Sequence, residues 1–227
     1  MFIELVDSLR CPSPHEQTWL VASVTRLDGR DIVEGRLGCP VCRRQFVVQG
    51  GEIDFDESSA GAEASTPIGG GEGSRALGGS PQYDADDSAH LRRRALLALA
   101  EGGGVVLLGG ECAAWAPALE DDAQVLPLLL NAPRHGAALG RHPSALRSTG
   151  VLPMAPGSLR AAWVDAATAS PAMLESVVRA LRAGGRLVAP VHVPVPAGVR
   201  ELARDAEVWV AERTESAAGP PVQLRRR

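Results

Sequence analysis

Hydrophobic positions fall into three zones along the chain. In residues 1–56 the apolar runs are short. Phe2, Leu5, Val6 and Leu9 lie at helical spacing and predict a short helix. TWLVASVTRL, RDIVEGRLGC and QFVVQG read as short strands, with turns at Asp28-Gly29 and Gly50-Gly51. Residues 57–85 are Gly, Ser, Ala and acid with almost no large apolar side chain. Such a segment buries too little surface to offset its ordering entropy, so it reads as a flexible linker. Residues 86–215 return to apolar blocks, and the tail 216–227 is expected to fray.

The third zone alternates between two periods. HLRRRALLALAEGG predicts a helix ended by glycine, and GVVLLGG a buried strand. ECAAWAPALEDD is helical in propensity until Pro117 interrupts it. AQVLPLLLN is a second apolar run, and RHGAALGRHPSALRSTG is expected to be helical in part. LRAAWVDAA predicts a third strand. SPAMLESVVRALRAGG predicts the clearest helix, with Ser170 as N-cap, Pro171 at its first position and Gly184 as C-cap. RLVAPVHV is a fourth strand, and VRELARDAEVWVAER predicts a last helix and strand. Strands alternating with helices at this spacing predict an α/β fold with a parallel sheet and flanking helices.

Composition narrows the function classes. The net charge of −4 argues against a general nucleic-acid binder, which would carry basic charge overall or on one face. All 23 basic residues are arginines, so Schiff-base and P-loop lysine chemistry are excluded for this chain. The N-terminal MFIELVDSLR carries Glu4 and Asp7 within its apolar pattern, unlike a signal peptide, and no apolar run reaches membrane-spanning length. Four cysteines in a chain of 227 residues do not make a disulfide scaffold. A CxxC without an export signal suits a reducing, cytoplasmic setting.

Three of those cysteines lie in the first zone. Cys39-Pro40-Val41-Cys42 is a metal half-site, because a CxxC turn brings two thiolates to one ion. Cys11 is the only cysteine upstream, and His15, four positions on in CPSPH, is the nearest further donor. Cys11, His15, Cys39 and Cys42 are the expected ligands of a structural zinc, with water and Glu16 as rivals for the fourth place. A redox CxxC is disfavoured, since GCPVCRRQFVV runs into a strand and not a helix.

LVDSLRCP followed by LGCPVCRRQFVVQGGEIDF resembles the small zinc-ribbon family of the tRNA-methyltransferase activator, the Trm one-twelve-like family. There a helix leads into a first Cys-Pro, and a later CPxC runs into a strand and a Gly-containing turn. This chain departs from the family by offering His15 in place of a second early cysteine. The resemblance implies a β-rich ribbon that binds a protein partner, such as a methyltransferase, and not a catalyst.

Residues 86–215 resemble a class I, Rossmann-like methyltransferase domain, best in LRAAWVDAATASPAMLESVVRALRAGGRLVAP. The resemblance implies S-adenosylmethionine contacts at Gly109, Gly110 and Asp165. Several usual contacts are missing. Glu111 and Ala113 stand where further glycines are expected, and Leu130-Asn131-Ala132 brings no carboxylate after the second strand. The scaffold is kept while the cofactor contacts are largely lost, so S-adenosylmethionine binding is doubtful. Cys112 reads as a small buried residue. His135, His142 and His192 show no ligand spacing, and Trp115, Trp163 and Trp209 read as packing. The expected function is that of a non-catalytic, zinc-binding interaction protein or methyltransferase partner. The alternative is an active methyltransferase with its zinc ribbon fused in cis.

Overall fold

The computed structural model describes residues 1–56, 59–60, 87–120, 122, 124–133 and 144–214. The segment 57–85, expected to be a linker, therefore lies almost wholly outside the described residues, as does the tail 216–227.

The N-terminal region is β-rich. A 3₁₀ turn at Ile3–Ser8 precedes an antiparallel meander of β1 (Val21–Asp28), β2 (Asp31–Gly38), β3 (Arg44–Gln49) and β4 (Glu52–Asp54). Asp28 pairs with Asp31 across a turn in which Gly29 takes φ +59°, a conformation glycine adopts without Cβ strain. A two-residue strand, β5 (Ser59–Ala60), pairs with the start of β3.

The C-terminal region is a Rossmann-like parallel sheet. Its strands are β6 (Gly104–Gly109), β7 (Val125–Leu130), β8 (Ser144–Arg147), β9 (Leu159–Val164) and β10 (Leu181–Pro190). An antiparallel hairpin, β11 (Val199–Arg204) and β12 (Val208–Arg213), closes it through β12 on β10. The helices are α1 (Asp87–Leu96), α2 (Pro117–Glu120) and α3 (Pro171–Ala180). From β8 the order runs β8-β7-β6-β9-β10, so the winding reverses between β6 and β9. That is the doubly wound arrangement, and its reversal point is where such sheets form a ligand crevice.

The two regions share one sheet. β4 pairs in parallel with β8, Glu52 opposite Ala145 and Asp54 opposite Arg147. Arg147 also pairs with Glu52 by side chain, and Phe2 N–H donates to Ser144 Oγ at 2.9 Å. Apolar burial follows the same continuity. Leu5, Leu9, Ile32, Leu37, Phe46 and Ile53 of the N-terminal region join Leu107, Leu146, Val177 and Trp209 in one buried cluster. The opposite face of the parallel strands packs Val106, Leu108 and Leu129 against Leu97 and Leu119. The central strands are therefore buried on both faces, which is why GVVLLG lacks alternation.

Several local expectations need correction. Helical spacing near the N-terminus gives a 3₁₀ turn, tight enough to bury Leu5 and Leu9 together. Pro117 opens α2 instead of interrupting a helix, because its missing N–H costs nothing at a first position. Of RHGAALGRHPSALRSTG, expected to be helical in part, residues 134–143 lie outside the described residues, and SALR is a strand because β7 and β4 flank it on both sides. VRELAR is also a strand, fixed by its ladder to β12, and Asp205 Oδ1 accepts from Glu207 and Val208 N–H in the turn between them. α3 begins as expected, Met173 N–H donating to Ser170 Oγ, but ends at Ala180 and not at Gly184. Leu181 turns extended to pair with Leu159, and Arg213 donates to the carbonyls of Arg179 and Leu181 that the helix end leaves free. No helix among the described residues is long and apolar enough to cross a membrane.

Candidate metal centre and the neighbouring crevice

Cys11, His15, Cys39 and Cys42 come together in the structure, with all four donor atoms within 4.8 Å of one another. Each half-site is held by backbone. In the second, Arg43 N–H donates to Cys39 O at 3.0 Å, and Cys39 N–H to Arg44 O at 2.9 Å. Arg43 takes φ +61°, which lets the chain turn back sharply into β3. Cys42 N–H points at Cys39 Sγ, 3.4 Å away. In the first half-site, Cys11 N–H donates to Thr18 O, and the residues just before it are pinned to the C-terminal region. Arg10 N–H donates to Pro153 O at 2.8 Å and Ala155 N–H to Ser8 O at 2.7 Å.

The spacing fits a tetrahedral ion. Metal–sulfur bonds of about 2.3 Å give tetrahedron edges of roughly 3.8 Å, and about 3.5 Å to an imidazole nitrogen. Cys11 Sγ lies 3.6 Å from Cys42 Sγ, and Cys39 Sγ 3.4 Å from His15 Nε2. His15 Nδ1 sits 2.6 Å from the Glu16 carbonyl. That bond places the ring proton on Nδ1 and leaves Nε2 free to coordinate. The same carbonyl is the main cause that raises the His15 pKa.

The thiols differ in environment. Cys11 and Cys39 are buried, whereas Cys42 is exposed at the rim. Burial raises the Cys11 thiol. Partial desolvation also pushes Cys42 up, but hydrogen bonds from the Arg44 backbone, Ser13, Cys39 and His15 outweigh it and bring the thiol down to about 6. A thiolate ready near neutral pH suits metal coordination.

Gly109, Gly110 and Asp165, the expected cofactor contacts, also come together, at the reversal point between β6 and β9. They contact each other. Gly110 takes φ +60°, and a Cβ there would overlap the Asp165 carboxylate. Asp165 Oδ2 accepts from Glu111 N–H at 2.9 Å and Oδ1 from Thr168 N–H at 2.8 Å. A Cβ on Gly109 would meet Thr168 Cγ2 at 2.9 Å and Val164 Cγ1 at 3.0 Å. The close approach that these glycines allow is thus taken up by the chain itself.

Asn131, at the end of β7, is engaged likewise. Its Nδ2 donates to Ser148 O at 2.8 Å, and its Oδ1 accepts from Ser148 N–H at 2.9 Å. Sequence reasoning noted that no carboxylate follows β7 but missed this latch, which no local pattern signals. Burial, then the nearby Asp165 charge, push the Cys112 thiol up to about 12, far from a nucleophile's range. Trp115 and Trp163 pack edge to face at 6.0 Å with Arg93 over Trp115, while Trp209 is fully buried and donates to Val193 O. His135 and His142 lie outside the described residues.

No protein-family model matches this chain, and no curated protein matches it. Among solved structures it is similar to the antibiotic-resistance methyltransferase Kmr, at 15% identity over 56% of this chain and 93% of that one, with a TM-score of 0.36. It is similar to the N-methyltransferase NodS from Bradyrhizobium japonicum WM9, at 16% identity over 59% and 99%, TM-score 0.37. It is also similar to a putative S-adenosyl-L-methionine-dependent methyltransferase from Methanococcus maripaludis, at 9% identity over 64% and 100%, TM-score 0.39. The strand order, and not these similarities, carries the fold assignment.

Proposed function

We propose that this chain is a zinc-binding, non-catalytic interaction protein. A Trm one-twelve-like ribbon is fused in cis to a methyltransferase-like sheet whose cofactor crevice is filled by its own residues. The observation that carries this reading is the Asp165 carboxylate lying over Gly110. S-adenosylmethionine would need that close backbone approach, and a half-buried carboxylate already bonded to Glu111 and Thr168 N–H groups stands in its way. Asn131, tied to Ser148, offers the ribose no carboxylate. These residues do not fit the cofactor.

Calorimetric titration of the intact, zinc-loaded chain with S-adenosylmethionine should show no saturable heat. Micromolar binding would sink the non-catalytic reading. It would favour the rival, an active methyltransferase with its ribbon in cis, which the β4–β8 continuity also suits.

Three thiolates and one imidazole select zinc, and four protein donors leave no open position for substrate or water. The zinc would be structural, cross-linking two loops far apart in sequence. His15→Ala should lower zinc affinity by more than the roughly 10–100-fold that losing an outer-shell partner costs. Competition with a coloured chelator reads this directly, and unchanged affinity would remove His15 from the ligand set.

A further inference from the structure

The donors of the metal centre are not equally sheltered. Cys11 and Cys39 are buried, but Cys42 is exposed, and so are Pro40, Val41 and Arg43 beside it. The knuckle that carries Cys42 thus stands in solvent. An accessible sulfur of thiolate character is the one an oxidant reaches first. A second sulfur stands close to it on the other loop, since Cys11 Sγ lies 3.6 Å from Cys42 Sγ. Cys39 is engaged differently. Its backbone N–H and carbonyl are bonded to Arg44 and Arg43, and its sulfur faces His15 Nε2 at 3.4 Å. The rim also offers polar partners to an oxidised sulfur. Ser13 Oγ lies 3.6 Å from Cys42 Sγ, and Arg44 donates to that hydroxyl at 3.2 Å.

We propose that the metal centre is a peroxide-sensitive switch, in which a disulfide between Cys11 and Cys42 replaces the zinc. The proposal rests on the zinc reading above and adds its regulation. The Cys42 sulfur attacks one oxygen of hydrogen peroxide. An S–O bond forms, the O–O bond breaks, and hydroxide leaves. Cys11 then attacks the Cys42 sulfenic acid. The S–S bond forms, the S–O bond breaks, and a second hydroxide leaves. Two thiolates give up two electrons, and peroxide with two protons becomes two waters. Cys39 and His15 alone are too few donors to hold zinc, which departs.

The choice of Cys11 has a structural consequence. Cys11 and Cys42 are 31 positions apart, and their disulfide ties the same two loops that zinc ties. A link across so long a loop restricts the unfolded chain, so the oxidised form stays folded without its metal. A disulfide between Cys39 and Cys42 would close the knuckle alone and leave the two loops untied.

The test treats the zinc-loaded full chain with hydrogen peroxide beside a coloured chelator. About one zinc should be released per disulfide formed. Peptide mapping without reductant should find Cys11 linked to Cys42, and a dithiol with fresh zinc should reverse both changes. The oxidised, zinc-free chain should melt above the reduced, zinc-free chain. Cys42→His keeps four donors for zinc but removes the rim sulfur, and it should hold its metal through the same treatment. Zinc that stays bound in the treated wild type overturns the proposal. So does release with Cys39 linked to Cys42, or with no Cys11–Cys42 link. A zinc-loaded Cys42→His chain that releases its metal as fast as the wild type overturns it too. If that variant takes up no zinc, the wild-type map decides alone. Failure of the zinc reading itself is distinct, because it shows as missing metal before any peroxide is added.

Discussion

Cys39→Ser loses its zinc and destabilises the whole chain, not the N-terminal region alone. Binding of structural zinc to small modules has an apparent strength of roughly 10–16 kcal/mol at neutral pH, and in them it is folding free energy. A domain's entire stability is about 5–15 kcal/mol, so losing even a fraction of the zinc contribution is a large change. The effect spreads because of where Cys11 and Cys39 sit. Both belong to the buried cluster that includes Leu146, Met154 and Val177 of the C-terminal region. The strand of backbone before Cys11 is bonded to Pro153 and Ala155, and Leu152 N–H in turn donates to buried Ser176 on α3. Elemental analysis should find about one zinc in the wild type and almost none in Cys39→Ser. Thermal melts should show a single transition moved well down. A variant that keeps its metal, or melts where the wild type does, defeats the reading.

The second large effect is expected at Gly110. Alanine there must hold φ near +60°, which costs an L-residue about 1–2 kcal/mol. Its Cβ also displaces the Asp165 carboxylate from two backbone N–H groups, so the total comes to roughly 2–5 kcal/mol. Part of that cost is specific to Asp165. In the double variant Gly110→Ala with Asp165→Ala the overlap is gone, and the two losses should fall short of additive by on the order of 1 kcal/mol or more. Chemical denaturation of the four proteins measures this coupling. Strict additivity would mean that the carboxylate does not fill the space over the glycine turn.

The legible features of this sequence are those with short-range causes. CxxC and CPSPH carry their chemistry in their spacing, and the four donors converge. α3 begins at Ser170-Pro171 because a cap and a fixed φ act within one turn. Less legible elements owe their state to distant partners. VRELAR has the composition of a helix and becomes a strand only because β12 bonds to it. SALR contains no β-branched residue, and it is a strand because it lies between β7 and β4. Asp165 could be recognised as an acid following a strand, but not its direction. Its partner Glu111 is 54 positions away in sequence. The C-terminus of α3 has a similarly distant cause, since the arginine that closes it comes from β12.

The parallel pairing of β4 with β8 bears on competition for partners. Any other protein that offers a strand to β4 must compete with one tethered to the same molecule, at an effective concentration on the order of millimolar. A soluble competitor at cellular abundance would face a standing handicap, however well its side chains matched. This edge is therefore closed to outside strands for as long as β8 stays paired with it.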